Sequence, residues 1–366
     1  MPRPPHAARW AGAALAACAL AACDDSPPPV TAPAAGGPAA SLRPADPTTA
    51  TPPSYHYTRL PFVPSDINDS AVIVGYLGSD AIKYRHGAYT TLPRYPGIPG
   101  DYQATAINNK GQIAGTVGVG HALFWPRSGQ PPVLIAPADP QEAKGQVLPE
   151  AVNDAGVVVG SFSQPTADGG SVTRAFRWSQ AGGWEDVTPI LFTSAQALDV
   201  NADGTVVGFG WGYLTDLKVV ALRLPPNGSA AQWQRLDVAG TAAQAVAPNG
   251  DAVGTADYFG TVRRWPSAGG QAPLAAPANS SPDNVSRAYR LVGHTYRYGT
   301  PSHRPYTVFK GVTTWLPIPD SANTDKVYRL RVDRCGSIVA RQVYLNQVEG
   351  GLFWTKSRCD AVTPWS

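Results

Sequence analysis

The sequence predicts an all-β protein, a β-propeller of seven four-stranded blades, with six or eight as the neighbouring counts. Three observations carry this expectation. The stretch "ATAINNKGQIAGTV" (Ala104 to Val117) returns as "EAVNDAGVVVGSF" from Glu150, "ALDVNADGTVVGFG" from Ala197 and "AVAPNGDAVGTA" from Ala245. Fainter copies stand at "SDINDSAVIVGYL" from Ser65 and "YRLRVDRCGSIVARQ" from Tyr328. The Val-Gly position of the repeat falls at Gly75, Gly115, Gly160, Gly208, Gly254, Gly293 and Ala340, spaced 40, 45, 48, 46, 39 and 47 residues apart. A four-stranded unit of about 45 residues is the size of a propeller blade, whereas parallel β-helix coils are shorter. The composition agrees, because 37 Gly, 37 Pro and only 15% charged residues suit short strands and many turns.

Each unit reads as four strands. "ATAIN" alternates small and apolar residues, Asn-Asn-Lys-Gly turns the chain, and "QIAGTV" runs back. Asn opens such a turn by bonding its side chain to the backbone, and Gly supplies the positive φ that closes it. A third strand ends in Trp at "HALFW", "RAFRW", "TVRRW" and "GGLFW". A fourth carries apolar residues and often Pro: "TTLP", "PVLIAP", "WEDVTP", "WQRLDV", "TTWLP" and "DAVTP". The sixth unit, "VSRAYRLVGHTY", lacks the Asn-x-x-Gly turn, and the seventh has Asp333 for Asn. "YHYTRLP" (Tyr55 to Pro61) has the fourth-strand pattern before the first unit; it either latches the last blade to the first or packs outside the ring.

The chain opens with the basic "MPRPPHAARW" and the short apolar run "AGAALAACALAAC", which together read as a secretory signal peptide over residues 1–22. Leu20-Ala21-Ala22-Cys23 resembles the lipobox of bacterial lipoproteins, which implies acylation of Cys23 and a lipid-anchored place in the cell envelope. Asp24 resembles an inner-membrane retention signal, and the choice of membrane stays open. Residues 23–53 are rich in Pro and Ala without apolar periodicity, so they read as a disordered tether, leaving 54–366 for the propeller.

Lys and Arg number 29 against 26 Asp and Glu, and Arg3 and Arg9 would leave with the signal. Such near-neutrality argues against nucleic acid, whose phosphates demand a basic face. The reading assigns no cofactor, no enzymatic activity and a monomer. Cys335 and Cys359 remain as an even pair in an oxidising compartment. Aligned on the repeat, Cys335 falls in the turn between the first and second strands of the last blade, and Cys359 in that between its third and fourth. Both turns lie on one face, so a disulfide is expected.

The pattern A-x-x-I-N-x-x-G-x-[IV]-[AV]-G followed by [HR]-A-x-x-W resembles the HAF-repeat family of predicted extracellular bacterial proteins, over nearly all of residues 55–366. Its literal His-Ala stands at His121-Ala122, with Arg174-Ala175-Phe176 a near copy. The resemblance implies the repeat fold and no particular reaction.

Candidate sites follow from register. Asp199-x-Asn201-x-Asp203-Gly204 fits the first half of a calcium loop, but position twelve is Gly210 where Glu is needed, so no metal is assigned. Asp66 and Asp199 stand two residues before the turn Asn on nearly opposite blades, and Arg331 holds that register in the last. Facing the channel they would form a carboxylate pair with an Arg partner, the arrangement a carbohydrate-active enzyme uses; the alternative is polar lining bonded to backbone. Gly-x-Ser-x-Gly, His-Glu-x-x-His and Cys-x-x-Cys are absent from the sequence.

Long irregular segments concentrate on the face opposite the tight turns, and they carry the aromatic and basic types enriched at recognition hot spots. Of the four segments (Arg94 to Tyr102, Gly210 to Asp216, Asp257 to Gly260 and His294 to Tyr306), Tyr95 and Tyr102 lie in the first, Trp211 and Tyr213 in the second, and Tyr258 in the third. The fourth holds His294, Tyr296, Arg297, Tyr298, His303 and Arg304. The sequence therefore favours an envelope-anchored binding or scaffold module for a protein or glycan, with a carbohydrate-active enzyme or a purely structural envelope protein as alternatives.

Overall fold

The computed structural model describes residues 54–137, 145–212, 219–237, 241–256, 260–296, 303–319, 326–343 and 349–356, together with Cys359 and Trp365. The segments expected as signal peptide and tether, with Cys23, lie outside these. The described chain forms seven antiparallel sheets of four strands each, a seven-bladed propeller. Strand β1 (His56–Leu60) precedes blade 1, which comprises β2 (Val63–Ile67), β3 (Ile73–Leu77), β4 (Asp80–Arg85) and β5 (Ala88–Thr91). Blades 2 to 6 repeat the plan over 102–135 (β6–β9), 147–186 (β10–β13), 194–235 (β14–β17), 242–273 (β18–β21) and 280–315 (β22–β25). Blade 7 has β26 (Lys326–Val332), β27 (Ile338–Val343) and β28 (Glu349–Thr355), and its outer strand is β1, paired from His56↔Thr355 to Leu60↔Gly351. The N-terminal strand therefore latches the ring, and the outer place expected for "DAVTP" is taken; residues 360–364 lie outside those described. The first strands of successive blades adjoin around the axis, with β2 beside both β6 and β26.

The core lies between blades rather than at the centre. Ala106, Ala114 and Phe124 of blade 2 pack against Val147, Val158, Phe176 and Trp178 of blade 3, and equivalent clusters fill the other clefts. Trp125, Trp265 and Trp354, which end third strands, are fully buried. The indole N–H of Trp125 donates to the Pro93 carbonyl at 2.8 Å, and that of Trp354 to Pro317 at 2.7 Å, each just past the outer strand of the preceding blade. The Trp and Pro signals of the repeat thus meet across a blade boundary.

The recurrence of Gly at this position of the repeat has a steric cause. A Cβ on Gly115 would collide with the Gln103 carbonyl, and one on Gly160 with that of Leu148, because first and second strands cross closely at a bulge. That bulge recurs in every blade as a register shift, between Pro64 and Asp66 in blade 1 and between Pro149 and Ala151 in blade 3.

The turn Asn residues do more than turn the chain. Asn108 Oδ1 accepts from the N–H groups of Lys110 (3.1 Å) and Gln112 (2.9 Å), while its Nδ2 donates to the Asn153 carbonyl of the next blade at 2.7 Å. Asn68 reaches Asn108 in this way, Asn153 reaches Asn201, and Asn201 reaches Ala247. In blade 5 Ala247 stands at the turn position and has no side-chain amide to continue these ties, and Ser286 and Asp333 serve only their own turns among the bonds described.

Candidate functional site

The bulge determines what lines the central channel. Strict alternation would send one of two adjacent residues inward, but the extra residue lets both border the lumen, as Glu150 and Ala151, Leu198 and Asp199, and Asp283 and Asn284 do. Ser65, Thr105, Glu150, Leu198, Gln244 and Asp283 occupy the bulge position, three residues before the turn. Each lines one of two adjoining channel cavities.

Three cavities follow the axis. At the turn face, about 300 Å³ is lined by Asn68, Asn108, Asn153 and Asn201 among others. Arg287 of blade 6 spans this end, pairing with Asp154 of blade 3 and, at 3.5 Å, with Asp69 of blade 1. The waist holds about 70 Å³ and brings together Asp66, Glu150, Asp199, Asp283 and Arg331. Toward the opposite face it widens to about 240 Å³, lined by Ser65, Gln103, Thr105, Thr116, Glu150 and three arginines, Arg329, Arg331 and Arg341.

The three residues singled out by register, Asp66, Asp199 and Arg331, therefore share one cavity. Their bonds are those of blade-to-blade ties. Asp66 accepts from its neighbour Ile67 N–H and from Ile107 N–H of blade 2, both at 2.8 Å. Asp199 does the same with Val200 and with Val246 of blade 5, both at 2.9 Å. Arg331 donates to the Asp283 and Leu330 carbonyls at 3.2 and 3.1 Å. Burial pushes the Asp66 carboxyl up to about 6, against the pull of Arg331 and the two N–H bonds. Burial likewise raises Asp199, and it raises Glu150 against the attraction of Arg329, Arg331 and Arg341.

The calcium-like pattern does not converge on a cation. Asp199 caps two backbone N–H groups, Asn201 Oδ1 accepts from Asp203 and Thr205 N–H, and Asp203 is exposed. Among the described residues no group of three His, Cys, Asp or Glu is placed to hold a metal.

The predicted face is partly core. Tyr102 is 1% exposed, packed between blades 1 and 2, with its hydroxyl donating to the Ile98 carbonyl at 2.7 Å. Its place at the start of β6 turns the ring inward, so it does not belong to a binding surface. Tyr95 is half-buried against the same cluster, and Trp211 is half-buried and stacked on Phe209. His294 Nδ1 meets Asp283 Oδ2 at 2.7 Å and stacks on His303, and Tyr296 is half-buried nearby in sequence. The Asp283 charge and bond raise the His294 pKa against its burial, while burial lowers that of His303. Arg304 is exposed with its guanidinium 4.6 Å from the Trp315 ring centre. Tyr213, Tyr258, Arg297 and Tyr298 lie outside the described residues.

Cys335 and Cys359 form a disulfide. Because β1 supplies the outer strand, Cys359 begins the segment that leaves β28 and does not stand in a hairpin turn. Glu150, Asp283, Arg329 and Arg341 escaped the sequence reading. The signal for Arg329 was a departure from the repeat: Pro64, Ala104, Pro149, Ala197, Ala243 and Pro282 hold its position in the other blades.

No family model matches the chain, so the HAF-repeat resemblance gains no support there, and no curated protein matches it. Solved structures of similar shape include YCF48 bound to a D1 peptide, at 13% identity and TM-score 0.49, covering 84% of this chain and 97% of that one. TolB from Acinetobacter baumannii is similar at 11% identity and TM-score 0.39, covering 84% and 81%. The soluble aldose sugar dehydrogenase from Escherichia coli is similar at 11% and 0.40, covering 83% and 100%. At these values the likenesses carry nothing about chemistry.

Proposed function

We propose that the protein is a lipid-anchored β-propeller of the bacterial cell envelope that binds a protein or glycan partner through the face opposite its tight turns. The observation that carries this reading is the asymmetry of the channel. The turn end holds about 300 Å³ and is spanned by the Arg287 ion pairs, whereas the other end is a recess of about 240 Å³ lined by hydroxyl, amide, carboxylate and guanidinium groups. Polar groups that converge in a concave site can fix the orientation of a ligand. The anchor rests on Leu20-Ala21-Ala22-Cys23, and Cys23→Ala is expected to leave an unprocessed or soluble chain. A Cys23→Ala chain that stays membrane-bound with an unchanged mature N-terminus would contradict the anchor.

Capture from a solubilised envelope extract tests the face. Arg304→Ala and Trp211→Ala should lose a partner that Arg287→Ala retains, with melting temperatures close to that of the parent. Loss through Arg287→Ala alone would place recognition at the turn face instead.

A further inference from the structure

We propose that the recess at the open channel end is a site for a small polyhydroxylated carboxylate, a sugar acid or hydroxy acid. Arg329, Arg331 and Arg341 would hold its carboxylate, and Glu150 with the flanking hydroxyls its OH groups. The proposal deepens the reading of that end as the ligand face.

All three arginines come from blade 7, and each stands where no other blade carries Arg. The Arg331 position holds Asp66, Ala106, Ala151, Asp199, Ala245 and Asn284 elsewhere, and the Arg341 position holds Tyr76, Thr116, Ser161, Phe209, Thr255 and His294. Arg341 is set by its Nη2 bond to Ser65 Oγ at 2.9 Å and its place over the Tyr76 ring; Arg331 is set by the carbonyls already named. Both are thus fixed before a ligand arrives, which lowers the ordering cost of binding.

Arg329 is held by the backbone itself. Its φ is +53°, a left-handed conformation that disfavours side chains other than Gly, Asn and Asp. The cause lies opposite, where Ala340 replaces the Gly of the other six blades. At those glycines a Cβ would strike the facing strand, so blade 7 takes another course. The shift in pairing there runs from Tyr328↔Arg341 to Arg331↔Val339, leaving Arg329 and Leu330 opposite Ala340. Strain kept in a repeat whose six other copies avoid it points to use of the side chain it presents.

Charge completes the argument. Three guanidinium groups and one carboxylate, Glu150, line the recess itself, while Asp66, Asp199 and Asp283 lie in the adjoining waist around the shared Arg331, so Arg329 and Arg341 are the cations left to the recess. A planar carboxylate matches the guanidinium fork. Glu150 supplies an acceptor for ligand OH groups, and Gln103, Thr105 and Thr116 add amide and hydroxyl groups on the blade 2 wall. A recess of about 240 Å³ suits one small unit rather than a stretch of polymer.

The test is calorimetric titration of the full chain with glucuronate, gluconate, glucose and glucitol. Both acids should bind with Kd of about 1 mM or tighter, and the neutral compounds at least tenfold more weakly. Arg329→Gly removes the guanidinium and suits the left-handed backbone, so it should lose acid binding at least tenfold while melting at or above the parent temperature. Arg329→Gln provides the same binding readout without added backbone freedom. A glucuronate trisaccharide binding more tightly than the monomer would assign a glycan end; preference for the monomer would assign a free acid. Equal binding of acids and neutral compounds, no acid binding, or undiminished binding by Arg329→Gly would overturn the site. Failure here with partner capture still lost in Arg304→Ala and Trp211→Ala removes the acid site and leaves the face; acid binding with capture indifferent to those changes does the reverse.

Discussion

Asp66 shows how one residue can be legible in place and illegible in role. Its distance from the turn Asn puts it in the channel, yet both carboxylate oxygens accept backbone N–H bonds that join blades 1 and 2. Its folded pKa of about 6 lies above the ordinary 3.8, so the native state holds more protons than the unfolded chain between those values. Stability from this group therefore falls as pH rises from about 4 to 6 and is flat above. Lowering the pH from 7.5 to 5 should gain about 1 kcal/mol through Asp66, and the gain should be smaller in Asp66→Asn. Urea denaturation of both chains at the two pH values checks this; identical pH responses would contradict it. Glu150 was illegible for a physical reason. Period-two alternation assigns it to the side away from Ala151, and only the bulge turns both toward the lumen. Arg329 was hidden similarly, because its direction depends on a left-handed φ that no residue preference announces.

At the scale of elements, the repeat was legible because each of its signals has a separate physical duty. Asn closes the turn and ties the next blade, Gly admits a crossing carbonyl, and Trp fills the cleft, bonding to the Pro segment of the preceding blade at Trp125 and Trp354. Asn108→Ala removes the two turn bonds and the blade tie, all at a buried site, and should cost about 3 kcal/mol. Asn108→Asp keeps an acceptor for the turn but puts an oxygen against the Asn153 carbonyl, so it should fall between the parent and Asn108→Ala. Chemical denaturation gives the order, and an Asp variant as stable as the parent would remove the inter-blade tie from the account. The surface loops were read by composition alone, which cannot tell a rim aromatic from one filling a cleft; Tyr102 is the instance.

At the scale of the molecule, the ring must be held shut where its ends meet. Blade 7 draws its outer strand from the N-terminal side and its other three from the C-terminal side, so opening the ring means unpairing β1 from β28. The Cys335–Cys359 bond, across a sequence separation of 24, fastens the segment after β28 back to the turn of the same blade. Cys335→Ser with Cys359→Ser should destabilise by roughly 2–4 kcal/mol, and non-reducing peptide maps should show the two cysteines in one linked fragment. The same blade carries the latch, the disulfide, Ala340 in place of Gly, and the three arginines of the recess. Closure and the proposed recognition would thus draw on one departure from the repeat.

The proposed binding through the open end is decided by an array of acidic and neutral glycans and envelope-derived peptides probed with the labelled full chain. Discrete positive spots are expected that vanish with Arg304→Ala or Arg329→Gly and persist with Arg287→Ala. A folded chain that binds no spot, or one whose spots survive both open-end changes and vanish with Arg287→Ala, would contradict it.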